Sequence, residues 1–328
     1  MALPDFLIIG VPKAGTTALH SALATHPQLF LSPVKEPKFF LCDGEAPRPQ
    51  AGPGDAHSVQ EWIWRSDDYE ALFDGAPPST LRGESTPFYL YDRTAQVRIA
   101  RAVPHARLIV VVRDPVDRAY SNWTHLWSDG LEPIGDFLTA CAAEEDRVAA
   151  GWAPIWHYLR LGRYGEQLED LFDVFPREQV HVLRYRDVVA SPQESLDAIC
   201  RFLGVATGLA HTVPAENVHP FARPSLRTSA LSAVIRAGAA AGAHAPPQLW
   251  RAASVPLTWA LQRGGGPRPP LPVEGPPAAG RAFRRRRASA LHADRRGLQR
   301  LARRRRSGRV LDPRRRRRRL TSTRAVAR

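Results

Sequence analysis

The stretch LPDFLIIGVPKAGTTALH (3–20) constrains this chain more than any other. Residues 3–11 are an apolar run rich in Ile and Leu, as in a strand buried on both faces. PKAGTT (12–17) follows without a spacer, and Ala18, Leu19 and Leu23 then suit a helix to about Thr25, ended by His26 and Pro27. A strand that turns tightly into a helix aims several backbone N–H groups at one point, where the helix dipole adds positive potential. Such a turn welcomes an anion. Ala14 and Gly15 keep side chains small where a phosphate must approach, Lys13 supplies a mobile cation, and Thr16 and Thr17 supply hydroxyl donors. The pattern is not GxxxxGK[ST], because Lys13 precedes Gly15. Taken alone, the turn is also compatible with a helix start that carries an incidental lysine.

Two more strands are expected at 107–112 (RLIVVV) and 179–184 (QVHVLR), with an amphipathic stretch from RDP to about Trp127. Apolar residues at 196, 199, 200 and 203 give helical spacing over 193–203, and 45–57, rich in Pro, Gly and Ala, reads as a surface loop. Strands alternating with helices predict an α/β fold, a central parallel sheet covered on both faces. A second anion site is expected just beyond the 107–112 strand. There Arg113 can grip a phosphate bidentately, and Ser121, eight residues on, can add a hydrogen bond. Pairing of Arg113 with Asp114 or Asp117 on a solvated surface is the competing reading.

Together these residues resemble the sulfotransferases that use 3′-phosphoadenosine 5′-phosphosulfate (PAPS). PKAGTT (12–17) is similar to their 5′-phosphosulfate loop and RDPVDRAYS (113–121) to their 3′-phosphate motif. KEPKFF (35–40), GESTPFYL (83–90), RYGEQL (163–168) and LRYRDVVASPQESLDAICRFLG (183–204) also resemble family segments, and the likeness covers residues 3–204. Within that family the pattern most resembles the bacterial enzymes related to carbohydrate and heparan-type sulfotransferases. The resemblance implies a fold like that of the P-loop NTPases and PAPS as donor co-substrate, with no metal. It implies that Lys13, Ala14, Gly15, Thr16 and Thr17 hold the 5′-phosphosulfate, Arg113 and Ser121 the 3′-phosphate, and that Tyr185 lies near the adenine. Lys13 would also stabilise the leaving phosphate, and Glu36 would be the general base for a hydroxyl or amine of a carbohydrate or other small-molecule acceptor. A surface Lys35–Glu36 pair is the duller alternative for Glu36, and Glu84 is the second candidate base. Two positions depart from the heparan-type pattern: Ser85 stands where those enzymes have Lys, and Lys38 where they have His. Trp62, Trp64, Trp123, Trp127, Trp152 and Trp156 suit core packing better than sugar stacking. His20, His26 and His125 are expected to be structural or exposed.

The formal charge of +14 is concentrated at one end. Residues 281–328 hold 21 Arg against Asp294 and Asp312, whereas residues 1–280 hold 25 basic and 30 acidic residues. The expected organisation is a sulfotransferase domain over 1–274, followed by an Arg/Pro/Gly-rich tail over 275–328 that cannot bury enough apolar surface to fold alone. That tail is either a genuine polycation, able to contact polyanions without sequence specificity, or a GC-rich gene read out of frame after about residue 274. Specific nucleic-acid recognition is not expected, since Phe283 is the tail's single aromatic residue. No apolar run is long enough to span a membrane. The opening residues do not read as a signal peptide. Cys42, Cys141 and Cys200 lack metal-like spacing, and a cytoplasmic location is expected. Two rivals remain at this level: a kinase built on a phosphate loop, against which the displaced lysine counts, and a non-catalytic nucleic-acid binder driven by the tail.

Overall fold

A computed structural model describes residues 2–210, 220–242 and 246–271. Five strands, β1 (Phe6–Gly10), β2 (Leu29–Leu31), β3 (Leu81–Ser85), β4 (Arg107–Val112) and β5 (Val180–Arg184), form one sheet in the order β2-β3-β1-β4-β5. Every pairing is parallel. The expected parallel α/β sheet is therefore present. Helices α1 (Thr16–Ala24), α2 (Arg93–Ala102), α3 (Pro115–Ser128), α4 (Tyr164–Val174) and α5 (Pro192–Leu203) are the longer covering elements, and α6 (Leu226–Gly242) and α7 (Pro247–Gln262) form a hairpin after them. β1 is central and wholly buried, so FLIIG can be apolar on both faces. After β3 the chain crosses β1 to form β4, and a crevice opens beyond the carboxyl ends of strands where the order reverses in this way.

Two strands escape the sequence pattern. β2 is three residues long, and β3 (LRGES) carries Arg, Gly, Glu and Ser rather than an apolar run. Gly83 of β3 is dictated by packing: a Cβ there would lie 2.2 Å from Cζ of the buried Phe6 ring. Gly83→Ala is expected to destabilise the fold by about 1–3 kcal/mol, because an overpacked core must shift strand or ring. A lower denaturant midpoint at unchanged m would register the loss.

The 45–57 segment departs from its expected surface character in its second half. Asp55 is buried, and its carboxylate accepts from the backbone N–H groups of Gly52 (2.7 Å) and Ala153 (2.8 Å) and from Trp156 Nε1 (2.9 Å). Such an anchor ties the loop to the Trp-rich layer and keeps a buried carboxylate fully bonded. Residues 264–271 also return to the body. Phe221 N–H donates to the Gly266 carbonyl (2.8 Å), and the Tyr120 hydroxyl donates to the Pro269 carbonyl (3.0 Å). The tail expected at 275–328 lies outside the described residues.

Candidate functional site

The site is built on the turn between β1 and α1. Gly15, at φ 81°, occupies the N-cap of α1, and Val11 N–H donates to the Val111 carbonyl of β4 (2.8 Å), drawing the turn against the neighbouring strand end. A left-handed N-cap suits glycine. Gly15 is also required sterically, because an added Cβ would stand 2.9 Å from Cε2 of Tyr185. Arg113 leaves the end of β4 just before Asp114, which caps α3 by accepting from the N–H groups of Val116 (2.9 Å) and Asp117 (3.0 Å). With Asp114 engaged in capping, the arginine turns the other way. Its Nη1 donates to the Lys13 carbonyl (3.1 Å), and its guanidinium lies 4.8 Å from the centre of the Tyr185 ring. Residues far apart in sequence, Lys13, Gly15, Arg113 and Tyr185, thus meet at the carboxyl edge of the sheet. Thr16 is buried beneath the turn and Thr17 half-buried.

Burial pushes the Lys13 amine below its ordinary value, opposed by the carboxylates of Asp129 and Glu36. Glu36 and Asp129, the latter just past the end of α3, thus both lie within the electrostatic field of the Lys13 ammonium. Asp129 carries no sequence signal of its own. Among the described residues the non-glycine positions with left-handed backbone are Lys13 (φ 66°), Glu36 (φ 59°) and Lys38 (φ 62°). All three lie in the site. Backbone of this kind costs of order 1–3 kcal/mol per residue and is retained where the surroundings over-determine it, often at working sites.

The segment carrying Glu36 is held from below. Glu36 N–H donates to the Ser85 carbonyl of β3 (2.9 Å), Lys38 N–H to Thr86 Oγ1 (3.4 Å), and Phe40 N–H to the Tyr89 hydroxyl (3.3 Å). The Glu36 carboxylate accepts from Lys35 Nζ (2.6 Å), so the pair raised as the alternative reading does exist, half-buried at the mouth of the site. Glu84 is different. It is fully buried, accepting from Thr86 Oγ1 (3.0 Å), from the Tyr69 hydroxyl (3.2 Å) and from Tyr89. Burial raises its pKa to about 7 against those hydrogen bonds. A carboxyl sealed under two tyrosines and a threonine cannot touch an acceptor. The geometry leaves Glu84 as the post on which the Glu36 segment stands.

His20 had no expected role, yet its Nδ1 lies 2.8 Å from Ser85 Oγ, at the position where the resemblance expects lysine. Burial, reinforced by Lys35, lowers its pKa to about 4, so at neutral pH it is an uncharged hydrogen-bonding group. His26 is structural, its Nε2 within 2.8 Å of the Ala206 carbonyl. Ser121 sits half-buried on α3, and its hydroxyl forms no hydrogen bond to Arg113 or the turn among the described residues. Trp123, Trp127 and Trp156 spend their indole N–H groups on Ile134, Ala222 and Asp55, as packing residues do. Trp62 does not, and faces the Lys38 ammonium at 5.2 Å. Among the described residues there is no group of three His, Cys, Asp or Glu side chains that could hold a metal, and no helix long and apolar enough to cross a membrane.

Residues 4–208 match the profile of the sulfotransferase family. The chain is 31% identical over 204 residues to the Homo sapiens heparan sulfate glucosamine 3-O-sulfotransferase 3B1, a match covering 62% of this chain and 46% of that protein. It is 28% identical over 251 residues to the Homo sapiens carbohydrate sulfotransferase 15, covering 62% of this chain and 44% of that one. The chain thus spans about half the length of the curated relatives it matches. Among solved structures, a sulfotransferase from Alicyclobacillus acidocaldarius superposes with a TM-score of 0.62 at 34% identity, over 76% of this chain and the whole of that one. The family profile covers well over half of the chain, and the chain belongs to the sulfotransferase family.

Proposed function

We propose that this protein transfers the sulfuryl group of PAPS to a hydroxyl, or an amine, of a carbohydrate or other small-molecule acceptor and releases 3′-phosphoadenosine 5′-phosphate (PAP). The observation that carries the reading is the convergence of Lys13, Gly15, Arg113 and Tyr185 at one sheet edge. It offers two cations, a backbone turn and an aromatic face to one nucleotide. The turn, with Lys13, Ala14, Gly15, Thr16 and Thr17, would take the 5′-phosphosulfate. Arg113, with Ser121 beyond it on α3, would take the 3′-phosphate, and Tyr185 would lie against the adenine.

The acceptor oxygen attacks sulfur in line as the bond from sulfur to the 5′-phosphate oxygen breaks. The acceptor proton passes to Glu36, and the charge left on the phosphate oxygen develops beside Lys13. As in phosphoryl transfer, positioning and charge stabilisation carry most of the work. Lysine and arginine supply the positive charge, and the step as written uses no metal.

Titration calorimetry of PAP beside ATP tests the donor site. PAP is expected to bind more tightly than ATP, which lacks the 3′-phosphate. Arg113→Ala should weaken PAP by about 100-fold, the scale of two lost charge-assisted hydrogen bonds, and leave ATP nearly unchanged. Equal loss for both ligands would remove Arg113 from the 3′-phosphate.

Residues 1–274 are taken as the catalytic domain, a boundary supported by the return of 264–271 onto Phe221 and Tyr120. Residues 275–328 would form a polycationic extension that contacts polyanions without sequence preference. A cytoplasmic, bacterial setting is part of the same proposal. It rests on the three free thiols, which a reducing compartment preserves, and on the likeness to the Alicyclobacillus enzyme.

A further inference from the structure

Beside the Glu36 segment lies a pocket of about 150 Å³ walled by Lys38, Gln50, Trp62, Phe88 and Ile155. It shares Tyr91, Asp92 and Pro154 with a wider basin of about 450 Å³ that runs out to Arg160, Arg163 and Gln167. The two form one groove, its inner end two residues from Glu36. A pocket of this size takes one ring-sized group, and the basin has room for more of the same molecule.

Part of the polar lining of the groove is uncharged and unpaired. Three buried atoms along it have no hydrogen-bond partner among the described residues: Gln50 Oε1, Trp62 Nε1 and Gln167 Oε1. Gln167 is only 7% exposed, and its Nε2 already donates to the carbonyls of Arg160 (3.2 Å) and Leu161 (3.4 Å). Buried polar atoms in a folded protein are normally satisfied, and those that are not call for water or a ligand. Here they are an indole N–H and two amide oxygens, groups that exchange hydrogen bonds with hydroxyls.

The charges point the same way. Three arginines line the basin, each paired: Arg93 with Asp170, Arg160 with Glu145, and Arg163 with Glu166 at 3.9 Å. Asp92, Glu166 and Asp170 on the same walls match them in number. At the inner end Lys38 makes no ion pair among the described residues, but it stands in the field of Glu36 and Glu61. With Lys38 the groove carries four cations against three carboxylates, and a polyanion, which binds through many positive charges and the release of counterions, finds only one net charge there to drive it.

We propose that this groove is the acceptor site and that it takes an uncharged, polyhydroxylated molecule of more than one ring rather than a polyanionic polymer. The proposal rests on the reading of the chain as a PAPS-dependent transferase. It sets the chain apart from the curated relative named for heparan sulfate. The inner ring sits between Trp62 and Ile155 with a hydroxyl directed at Glu36, while the remainder crosses Tyr91 and Pro154 toward Gln167.

The test uses the full chain with PAPS and a panel of uncharged oligosaccharides and glycosides, beside sulfated and carboxylated polysaccharide fragments. Sulfation of uncharged members is expected, with an acceptor KM that does not change with salt. Trp62→Phe, which removes only the indole N–H and keeps a ring, should raise that KM about tenfold, as should Gln50→Ala. Both should leave kcat and PAP affinity within about twofold. Transfer confined to anionic polymers with a salt-dependent KM would overturn the proposal. So would unaltered KM in both variants, or a chain that binds PAP yet sulfates no uncharged member. Failure of the unaltered chain to bind PAP would instead remove the transferase reading beneath it.

Discussion

Glu36→Gln is expected to lower kcat by about 10²–10⁴-fold, the usual contribution of a positioned general base. Glutamine keeps the shape of the side chain, and its amide oxygen can still accept from Lys35 Nζ as the Glu36 carboxylate does at 2.6 Å. The segment should also stay in place, because the bond from the residue's N–H to the Ser85 carbonyl and the anchors at Thr86 and Tyr89 belong to the backbone. What disappears is the site that takes the acceptor proton. Affinity for PAP should change little, since Glu36 touches the donor site only through its field on Lys13. A second consequence follows from the lost charge itself. Losing the Glu36 charge removes one of the two carboxylates that hold the Lys13 amine up against burial, so the pH at which Lys13 loses its proton should fall in the variant. A kcat within tenfold of the unaltered protein would rule out Glu36 as the base and leave the Lys35–Glu36 pair as its function.

Much of this site is legible in the sequence, for reasons that are local. The turn after β1 announces itself because a buried strand, a small-residue turn and a helix start are contiguous. Arg113 does so because the proline and the two aspartates after it mark a capped helix start. Family likeness implies that Arg113 and Tyr185 serve the same nucleotide as the turn, and the bond to the Lys13 carbonyl and the close approach at Gly15 show both beside it. β3 hides because its residues are fixed by particular neighbours rather than by an apolar pattern: Gly83 yields to Phe6, buried Glu84 accepts from Tyr69 and Thr86, and Ser85 meets His20. What a sequence cannot carry is the surroundings of a side chain. Glu36 and Glu84 look alike as letters, each within a motif beside aromatic residues. One ends half-exposed at the mouth of the crevice and the other beneath Tyr69, Tyr89 and Thr86. Asp129 and Gln50 are equally silent, since their places depend on how α3 ends and on how Asp55 pins its loop.

Glu84 should govern stability, and through it the catalytic segment. Glu84→Ala removes the acceptor shared by Tyr69, Thr86 and Tyr89 and opens a cavity in the core, for an expected loss of about 3–5 kcal/mol. Thr86 and Tyr89 are the groups that hold Lys38 N–H and Phe40 N–H, so kcat should fall as well although Glu84 never meets substrate. Glu84→Gln keeps the volume and one acceptor but cannot ionise, which isolates the proton. In the folded protein Glu84 titrates near 7, against an ordinary value of 4.5. The native state therefore holds a proton that the unfolded chain has already released. That contribution is fully present below about pH 4.5, fades as pH rises, and is gone above about 7, a loss on the order of 3 kcal/mol. Denaturant titrations across that window should show the unaltered protein losing stability faster than Glu84→Gln as pH increases. The variant should be the more stable of the two at pH 8 and lose that advantage in acid. Parallel stability curves for the two proteins would mean that Glu84 stays ionised in its pocket, with Tyr69, Thr86 and Tyr89 offsetting the whole cost of burial.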